Sequence, residues 1–233
     1  MADIGISIVM PAFNEAPNLT GLVRRACGTL DGIPGEHEVI VVNDGSRDDT
    51  PRILDGLAGT DARVRAVTHD VNRGYGAAQR SGLQAARGDW VWVIPADGQI
   101  APEELPAYLL ASTEADVVVG RYRNRPDSTA RLVFSRFYRA TVRALFGLSL
   151  TNINAPKLYR RSSIAHLRTR ANGGFADAEL VLQAHAGGCR IVEIDVTCLP
   201  RQAGVSSVTW RAALQAVAEL IRFHLAFRVR GRR

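Results

Sequence analysis

Cysteine and lysine are both scarce in this chain of 233 residues. The three cysteines (Cys27, Cys189 and Cys198) lack the spacing of metal ligands, and their odd number argues against a disulfide framework. The first residues lead directly into an apolar strand and do not resemble a signal peptide. We therefore expect a reducing, cytoplasmic environment. Lys157 is the only lysine among 29 basic residues, which we interpret as a compositional bias.

Two common phosphate-binding motifs are also missing. No Gly-x-Gly-x-x-Gly follows the first strand pattern, and no Walker-type Gly-Lys-Ser/Thr is present. Ordinary dinucleotide-binding proteins and P-loop proteins bind phosphate with these loops, so their absence argues against both classes. Internal repeats and low-complexity linkers are absent as well, and 46% hydrophobic with 22% charged residues is ordinary for a globular protein. We expect one domain over residues 1–208, followed by a C-terminal segment, 209–233.

The C-terminal segment holds most of the net charge. Residues 210–233 contain six arginines and one acid, Glu219, and so carry +5 of the net charge of +6. A nucleic-acid-binding protein is expected to have a basic face with interleaved aromatic residues. Here the positive charge lies on a single predicted helix instead. We expect no nucleic-acid partner.

Helical spacing of apolar residues in this segment predicts an amphipathic helix. The apolar positions are Trp210, Ala213, Leu214, Val217, Leu220, Ile221, Phe223, Leu225 and Phe227, and the polar stripe is Arg211, Gln215, Glu219 and Arg222. A transmembrane helix needs about 20 predominantly apolar residues, whereas charges occur throughout this one. We expect it to lie in the membrane interface with its terminal arginines on anionic headgroups. The alternative is a helix docked on the domain's own core.

Strand and helix patterns alternate along the first two-thirds of the chain. Apolar strand patterns occupy 4–11, 37–44, 63–69, 90–95 and 115–120, and helical patterns lie around 19–30, 50–59 and 76–87. Near-continuous apolar strands separated by helices predict an α/β fold, a single Rossmann-like domain with a mainly parallel central sheet. Ligands of such sheets bind at the carboxyl ends of the strands, where this chain places polar loops.

Three carboxylates follow these strands: Glu15, Asp44 and Asp97. Carboxylates at strand ends can hydrogen-bond a ribose and a base, or hold a divalent cation that screens a diphosphate. Asp97 and the amide oxygen of Gln99 form an all-oxygen pair suited to Mg²⁺ or Mn²⁺. Pro95 occupies a position at which a second carboxylate would help to bind the cation.

Three successive motifs resemble those of family 2 glycosyltransferases with the GT-A fold, and most closely those of the dolichyl- and polyprenyl-phosphate sugar synthases. The motifs are "PAFNEAPNL" (11–19), "VVNDGSRDDT" (41–50) and "NRGYGAAQRSGLQAARGDW" (72–90). The resemblance covers nearly the whole chain. It implies nucleotide contacts from Pro11, Ala12, Asn14, Glu15, Asp44, Asp70 and Gly74. It also implies that Asp97, with Gln99, ligates the metal at the diphosphate, although Pro95 replaces the first acid of the family's Asp-x-Asp.

The second half of the chain resembles the family's acceptor side. Arg121 follows the fifth strand, "ARLVFSRFYRATVRALFGL" (130–148) resembles an R-x-x-x-S helix, and "PRQAGVSS" (200–207) resembles R-x-x-G-x-S. The resemblance implies acceptor-phosphate contacts from Arg121, Arg131, Ser135, Arg201 and Ser206, the three arginines also serving catalysis. The planar guanidinium group of arginine can donate hydrogen bonds to two phosphate oxygens at once. The segment "NINAPKLYRR" (152–161) matches the family only loosely.

The resemblance implies an inverting glycosyltransferase at the cytoplasmic face of a membrane. It would move a hexose, with mannose from GDP favoured over a UDP-sugar, to a polyprenyl phosphate, using Mg²⁺ or Mn²⁺. A phosphate acceptor is already largely dianionic at pH 7 and needs no general base. Two alternatives stay open: transfer to a saccharide hydroxyl with Asp177 or Glu179 as base, and a nucleotide-sugar-binding protein without activity. Both acids could instead favour the start of a helix through its dipole.

Overall fold

A single sheet forms the centre of the protein. The computed structural model describes residues 5–123, 129–200 and 210–230, with side chains at all of these except 129–133, 210–214 and 227–230. Its seven strands in the described residues are β1 (Ile6–Ala12), β2 (His37–Asp44), β3 (Val64–His69), β4 (Trp90–Val93), β5 (Val117–Tyr122), β6 (Lys157–Arg160) and β7 (Ile191–Val196). They lie in the order β3-β2-β1-β4-β6-β5-β7.

Helices cover both faces of the sheet. They are α1 (Ala16–Asp31), α2 (Thr50–Thr60), α3 (Tyr75–Ala85), α4 (Leu105–Ala111), α5 (Thr129–Phe146), α6 (Arg161–Ile164), α7 (Ala176–Ala186) and α8 (Trp210–Arg230). One buried cluster contains side chains of α1, α2 and α4, and the other contains side chains of α3, α5, α7 and α8. Pro17 and Pro51 stand in the first turns of α1 and α2, where a missing N–H costs nothing.

The five strands and three helices predicted from the first part of the chain are confirmed, with shifts of a few residues at their ends. Within the described residues β6 is the one strand that runs antiparallel to its neighbours, β4 and β5. It is only four residues long. The remaining pairs in the described sheet are parallel. The mainly parallel sheet is therefore confirmed, with one antiparallel strand inserted between the two halves.

The strand order reverses at β1, which has β2 on one side and β4 on the other. Open α/β sheets bind their ligands beyond the carboxyl ends of the strands at such a point. We call the loops there the rim: residues 13–15, 43–49, 69–74, 95–99 and 120–123. The N–H of Ile94 donates to Val9 O (3.0 Å) and the N–H of Ala96 to Pro11 O (3.2 Å), so the turn that carries Asp97 is attached to the end of β1.

The C-terminal helix α8 divides its apolar residues between the domain and the solvent. Leu220 is fully buried, and the Phe223 ring lies 5.8 Å from that of Phe146 and 5.7 Å from that of Phe175. Ile221 and Leu225 are 46% and 61% exposed. Docking on the domain core is therefore confirmed for one side of the helix, while an apolar pair stays on the opposite side. No described helix is long and apolar enough to cross a membrane.

Candidate functional site

The loops after β1 and β2 are joined by hydrogen bonds. The main-chain N–H of Asn14 donates to Ser46 Oγ (3.0 Å), and Asn14 Oδ1 accepts from the N–H of Arg47 (2.8 Å). Asn14 has φ of 55°, the one positive φ outside glycine among the described residues. This conformation, which asparagine tolerates better than most residues, turns the chain so that its side chain reaches the second loop. Asn14 is predicted to bind the nucleotide. In the structure its hydrogen bonds join the first two loops of the rim.

Glu15 lies beside this contact and is nearly buried. Its N–H donates to Thr50 Oγ1 (3.0 Å), and its Oε2 accepts from Asn18 Nδ2 (2.6 Å). Pro11 and Ala12, also predicted to bind the nucleotide, are buried in the last two positions of β1. The structure therefore places these three predicted residues together at the end of one strand. Their contact with a nucleotide stays a prediction.

Asp44, at the end of β2, organises the loop between β3 and α3. Its Oδ1 accepts hydrogen bonds from His69 Nδ1 (2.7 Å) and the N–H of Arg73 (2.9 Å), and its Oδ2 accepts from the N–H of Gly74 (2.8 Å). His69 Nε2 in turn contacts Ser81 Oγ at 2.9 Å. Asp44 is buried, and its predicted contact with a nucleotide stays a prediction. Two predicted nucleotide-binding residues, Asp44 and Gly74, thus bind one another.

Asp70 lies on the same loop with its side chain exposed. Its predicted nucleotide contact remains a prediction, because the described structure shows only that it is accessible at the rim.

The glycines of the "NRGYG" motif allow the segment 171–172 to cross the start of α3. A Cβ on Gly74 would lie 2.5 Å from Asn172 O, and one on Gly76 would lie 2.2 Å from Ala171 O. The Gly76 N–H donates to Asn172 O at 2.9 Å. Gly74 also has φ of 91°, which side chains rarely adopt. Close backbone approach therefore accounts for both glycines.

Asp97 and Gln99 share one tight turn after β4. The N–H of Gln99 donates to Asp97 Oδ1 (3.1 Å), and Gly98 between them has φ of 71°. The Leu199 N–H donates to Gln99 O (2.8 Å), and Gln99 Nε2 lies 3.9 Å from Cys198 Sγ. The late segment 198–199 therefore passes directly beside the turn. The two predicted metal ligands are brought together, as expected.

This turn offers few protein ligands for a cation. Among the described residues no three acidic, histidine or cysteine side chains are grouped so as to hold a metal. The Asp97 carboxylate keeps Oδ2, and Gln99 keeps its amide oxygen, because its amide nitrogen faces Cys198. Two hard oxygen donors in one turn fit Mg²⁺ or Mn²⁺ only if ligand oxygens complete the coordination shell.

The residues predicted to contact the acceptor are described in part. Arg121 Nε donates to Asp195 Oδ1 (2.5 Å), and Arg123 Nη2 lies 2.9 Å from Asp195 Oδ2. The parallel β5–β7 pair places Arg121 opposite Asp195. The hydrogen bonds from these arginines hold the pKa of Asp195 below its ordinary value. Arg121 is thus oriented while its side chain stays 45% exposed.

The other predicted acceptor residues are placed less completely. Ser135 lies on α5 and is partly exposed, and Arg131 lies on the same helix with its side chain outside the described part. Arg201 and Ser206 lie outside the described residues. Their contacts with an acceptor phosphate stay predictions.

A buried charged cluster at the rim was missed by the sequence analysis. Lys157 begins β6 opposite Val93 and Val119, with 1% of its side chain exposed. Its ammonium donates to Ala155 O (2.6 Å) and lies 3.4 Å from Asp177 Oδ1. Burial lowers the pKa of Lys157, and the negative charge of Asp177 opposes that change. The sequence analysis interprets this lysine as a compositional bias. The structure shows instead that it is buried beside the rim and paired with Asp177.

The two acids of α7 have different roles. Asp177 Oδ1 also accepts from Gln79 Nε2 (2.8 Å) and the hydroxyl of Tyr75 (3.4 Å). Glu179 Oε2 accepts from the main-chain N–H groups of Arg170 and Ala171, each at 2.8 Å. Both acids lie in the first turn of the helix, as expected from its dipole. Glu179 supports the 170–171 backbone, whereas Asp177 belongs to the buried cluster.

Hydrogen-bonded polar loops at the switch point of an open α/β sheet are the arrangement in which such sheets bind their ligands. The chain belongs to glycosyl transferase family 2, whose model matches residues 7–168. That match spans β1 to β6 and includes each of the loops on the donor half of the rim.

Several curated relatives are polyprenyl-phosphate transferases by name. An undecaprenyl-phosphate 4-deoxy-4-formamido-L-arabinose transferase of Proteus mirabilis is 30% identical over 220 residues, covering 93% of this chain and 66% of the relative. Its counterpart of Pseudomonas fluorescens (strain SBW25) is 36% identical over 162 residues, covering 68% of this chain and 48% of the relative. Glycosyltransferase AglD of Haloferax volcanii is 33% identical, covering 86% of this chain and 34% of the relative. The chain thus spans about a third to two thirds of their lengths.

Solved structures share the fold. Glucosyl-3-phosphoglycerate synthase from Mycobacterium tuberculosis, in complex with Mn²⁺, UDP and glucosyl-3-phosphoglycerate, superposes with a TM-score of 0.75 at 23% identity, covering 95% of this chain and 80% of that one. The same enzyme with Mg²⁺ and UDP gives a TM-score of 0.75. The expected GT-A fold is confirmed.

Proposed function

We propose that the protein is an inverting glycosyltransferase that moves a sugar from a nucleoside-diphosphate sugar to a polyprenyl phosphate. The observation that carries this proposal is the hydrogen-bonded arrangement of three family loops, bearing Glu15, Asp44 and Asp97, at the carboxyl ends of β1, β2 and β4. The names of relatives at 30% identity or more support the acceptor.

The donor is proposed to be a UDP-linked sugar. The resemblance favoured mannose from GDP, but the solved structures of the same fold were determined with UDP, and the relatives are named for a formamido-arabinose. UDP-sugars are therefore the first donors to test, and GDP-mannose is the second.

A divalent cation is proposed to bind in the turn after β4. Asp97 and the amide oxygen of Gln99 would hold it, with diphosphate oxygens and water as further ligands, and the neighbouring fold structures contain Mn²⁺ or Mg²⁺. When bound, the ion supplies positive charge against the departing nucleoside diphosphate. The chain's own contribution is the rigid turn, closed by Gly98 and the Leu199 hydrogen bond, which fixes both ligands.

The acceptor phosphate is proposed to attack without a general base. A phosphate oxygen forms the new bond to the anomeric carbon as the bond to the diphosphate oxygen breaks, and the diphosphate leaves with the electron pair. A phosphate monoester has its second pKa near ~6 and is mostly dianionic at neutral pH. Arg121, held by Asp195, would orient it, together with Arg131 and Arg201 from the resemblance.

The exposed side of α8 is proposed to touch the membrane that carries the acceptor. Ile221 and Leu225 lie one turn apart on that side, with Arg222 between them also exposed. An interfacial helix buries such apolar side chains at the headgroup boundary while arginine contacts anionic lipid. The proposal locates the enzyme peripherally at the cytoplasmic face of the membrane.

The test is a transfer assay with purified protein and polyprenyl phosphate in detergent. Radiolabelled UDP-sugars and GDP-mannose are offered separately with Mg²⁺, Mn²⁺ or EDTA, and label is followed into the organic phase. We expect one donor to label the lipid and EDTA to abolish the signal.

Other results would favour the alternatives. Label found only in a soluble saccharide acceptor would point to hydroxyl transfer. Measurable binding of nucleotide sugar without transfer to any acceptor would indicate a binding protein without activity. Neither result is compatible with the proposed reaction.

A further inference from the structure

We propose that Lys157 is a positioning residue that fixes Asp177 as the acceptor of a hydrogen bond from a hydroxyl group of the donor sugar. The inference rests on the proposed function and adds to it a residue pair that recognises the sugar rather than the nucleotide. It is carried by the geometry of the buried cluster formed by Lys157, Asp177, Gln79 and Tyr75.

The burial of Lys157 needs an explanation. An ammonium taken out of water is costly unless an opposite charge and hydrogen-bond acceptors replace the water. Asp177, 3.4 Å away, is its acidic partner among the described residues, and Ala155 O accepts at 2.6 Å. A buried ion pair is rarely the most stabilising choice for a core, because well-packed apolar residues do as well. A role in the site explains why the pair lies here.

The pair lies on elements that lead to the two parts of the rim proposed for the nucleotide and for the metal. Lys157 pairs in register with Val93, the last residue of β4, and the chain then leads directly into the turn that carries Asp97. Gln79, the partner of Asp177 on α3, lies one turn beyond Gly74, whose N–H binds Asp44. The cluster therefore connects the loop assigned to the nucleoside with the turn assigned to the diphosphate. Under the proposed function, the sugar of the donor would lie near this connection, because it follows the diphosphate.

One oxygen of Asp177 is left for a ligand. Oδ1 faces Gln79, Tyr75 and Lys157, whereas Oδ2 has no donor among the described residues. Asp177 keeps 14% of its side chain exposed although Lys157 beside it keeps 1%. A carboxylate accepts hydrogen bonds only, so it repels a diphosphate and suits a hydroxyl group. This chemistry selects the sugar as the group that Oδ2 meets.

The charge of Lys157 keeps this arrangement in place. Two hydrogen bonds from α3 and the ion pair with β6, all at Oδ1, restrict the rotation of the carboxylate and so the direction of Oδ2. Without the ammonium, Gln79 and Tyr75 would remain, but the negative charge would lose its counter-charge and the carboxylate its third contact. Lys157 thus acts through Asp177 and is not itself proposed to touch the substrate.

The test compares affinity for a nucleotide sugar with affinity for the free nucleoside diphosphate. Calorimetry with Mn²⁺ gives Kd for UDP and for UDP-glucose, UDP-galactose, UDP-N-acetylglucosamine and UDP-xylose, or for GDP and GDP-mannose if only these bind. The quantity measured is the ratio of Kd for the nucleotide to Kd for the tightest nucleotide sugar. Asp177→Asn should lower this ratio about tenfold, the usual effect of losing a hydrogen bond to a charged group, with Kd for the nucleotide unchanged.

Two more variants complete the test. Lys157→Met should lower the same ratio, and if it fails to fold, Asp177→Asn decides the matter. Glu179→Gln is the matched control, since its carboxylate lies two residues further along α7 but contacts only the 170–171 backbone and Gln183. It should reduce thermal stability and leave the ratio as in the wild type.

Distinct outcomes separate this inference from the proposed function. A wild-type protein that binds no nucleotide and no nucleotide sugar contradicts the proposed function. A wild-type ratio of one for every sugar, or an Asp177→Asn variant whose ratio is unchanged, overturns the inference alone. An equal loss of affinity for nucleotide and nucleotide sugar would also overturn it, because that pattern indicates a purely structural role.

Discussion

The parts of the rim that we propose for the donor and for the acceptor, called the donor side and the acceptor side, are held in different ways. On the donor side, formed by the loops after β1 to β4, side chains such as Asn14 and Asp44 are occupied by main-chain N–H groups of neighbouring loops. On the acceptor side, Arg121 depends on one partly exposed ion pair with Asp195. The first arrangement is set when the protein folds, whereas the second leaves a charged group free to exchange partners.

Because of this difference, substitutions on the two sides should have different effects on folding stability and on ligand binding. A change in the donor loops should alter the folded structure and ligand affinity together, because the same hydrogen bonds serve both. A change on the acceptor side should alter binding and leave stability nearly unaffected, since exposed ion pairs contribute little to folding. The turn after β4 is an exception on the donor side, because the described hydrogen bond of the Asp97 side chain lies within that turn.

The largest effect is expected for Asp97→Ala. Transfer should fall by about 100- to 1,000-fold, the usual cost of removing one electrostatic contact to the transition state. The melting temperature should hardly change. Transfer of label and thermal unfolding measure the two quantities. Asp55→Ala, an exposed acid on α2, is the matched control and should behave like the wild type. Full activity of the Asp97 variant would remove this residue from the mechanism.

Next in size is Gly76→Ala. The added methyl would lie 2.2 Å from Ala171 O, so backbone has to move, and overpacking of this kind costs about 1–3 kcal/mol of stability. Nucleotide affinity should fall with it, because the 74–76 backbone is tied to Asp44. Urea unfolding and calorimetry provide the measurements. Gly56→Ala on α2, where a methyl group meets open space, should instead gain about 0.5–1 kcal/mol. Equal stability of the two variants would contradict the close approach.

A smaller and more selective effect is expected for Arg121→Ala. The acceptor KM should rise about tenfold, as for the loss of a charged hydrogen bond, while Kd for the nucleotide and the melting temperature stay unchanged. Initial rates at varied polyprenyl phosphate give the KM. Arg52→Ala removes another exposed arginine, paired with Asp49 far from Asp195, and should leave the KM unchanged. Weaker nucleotide binding in the Arg121 variant would place this residue on the donor side instead.

The smallest effect concerns the membrane. Leu225→Ser should weaken binding to vesicles of anionic lipid about threefold or more, because part of the free energy of burying a leucine is lost. Cosedimentation at two salt concentrations measures the partition. Leu110→Ser, at a leucine 77% exposed on α4, is the matched control. If both substitutions weaken binding equally, or neither does, α8 is not the membrane contact.

Local patterns were sufficient to predict the donor side. Apolar strands at regular intervals and helices with clear apolar stripes can be recognised from the sequence. In the helix predicted around 19–30, the apolar residues Leu19, Leu22, Val23, Ala26 and Leu30 are all buried in the core. The polar loops follow strand ends, where the sheet brings them together. That Asp44 and Gly74 bind each other follows from the parallel pairing of β2 with β3.

Other features depend on partners far away in the sequence. β6 is four residues long, and its antiparallel place between β4 and β5 cannot be derived from its own residues. The burial of Lys157 follows from that place. Apolar residues occupy most positions of α8 in the sequence. Which of them pack on the domain depends on contacts with distant residues such as Phe146 and Phe175. Periodicity alone could not divide the core-facing residues from the exposed pair.

The inserted position of β6 has a consequence for how the chain folds during synthesis. Strands β4 and β5 are not adjacent, so each keeps an open edge until a short strand made more than 30 residues later arrives between them. A nascent chain that has only reached β5 exposes one edge of β4 and both edges of β5, which is a state prone to association with other chains. We expect the sheet to close only after Arg160 has left the ribosome, so that ribosome-bound fragments ending earlier require a chaperone to stay in solution.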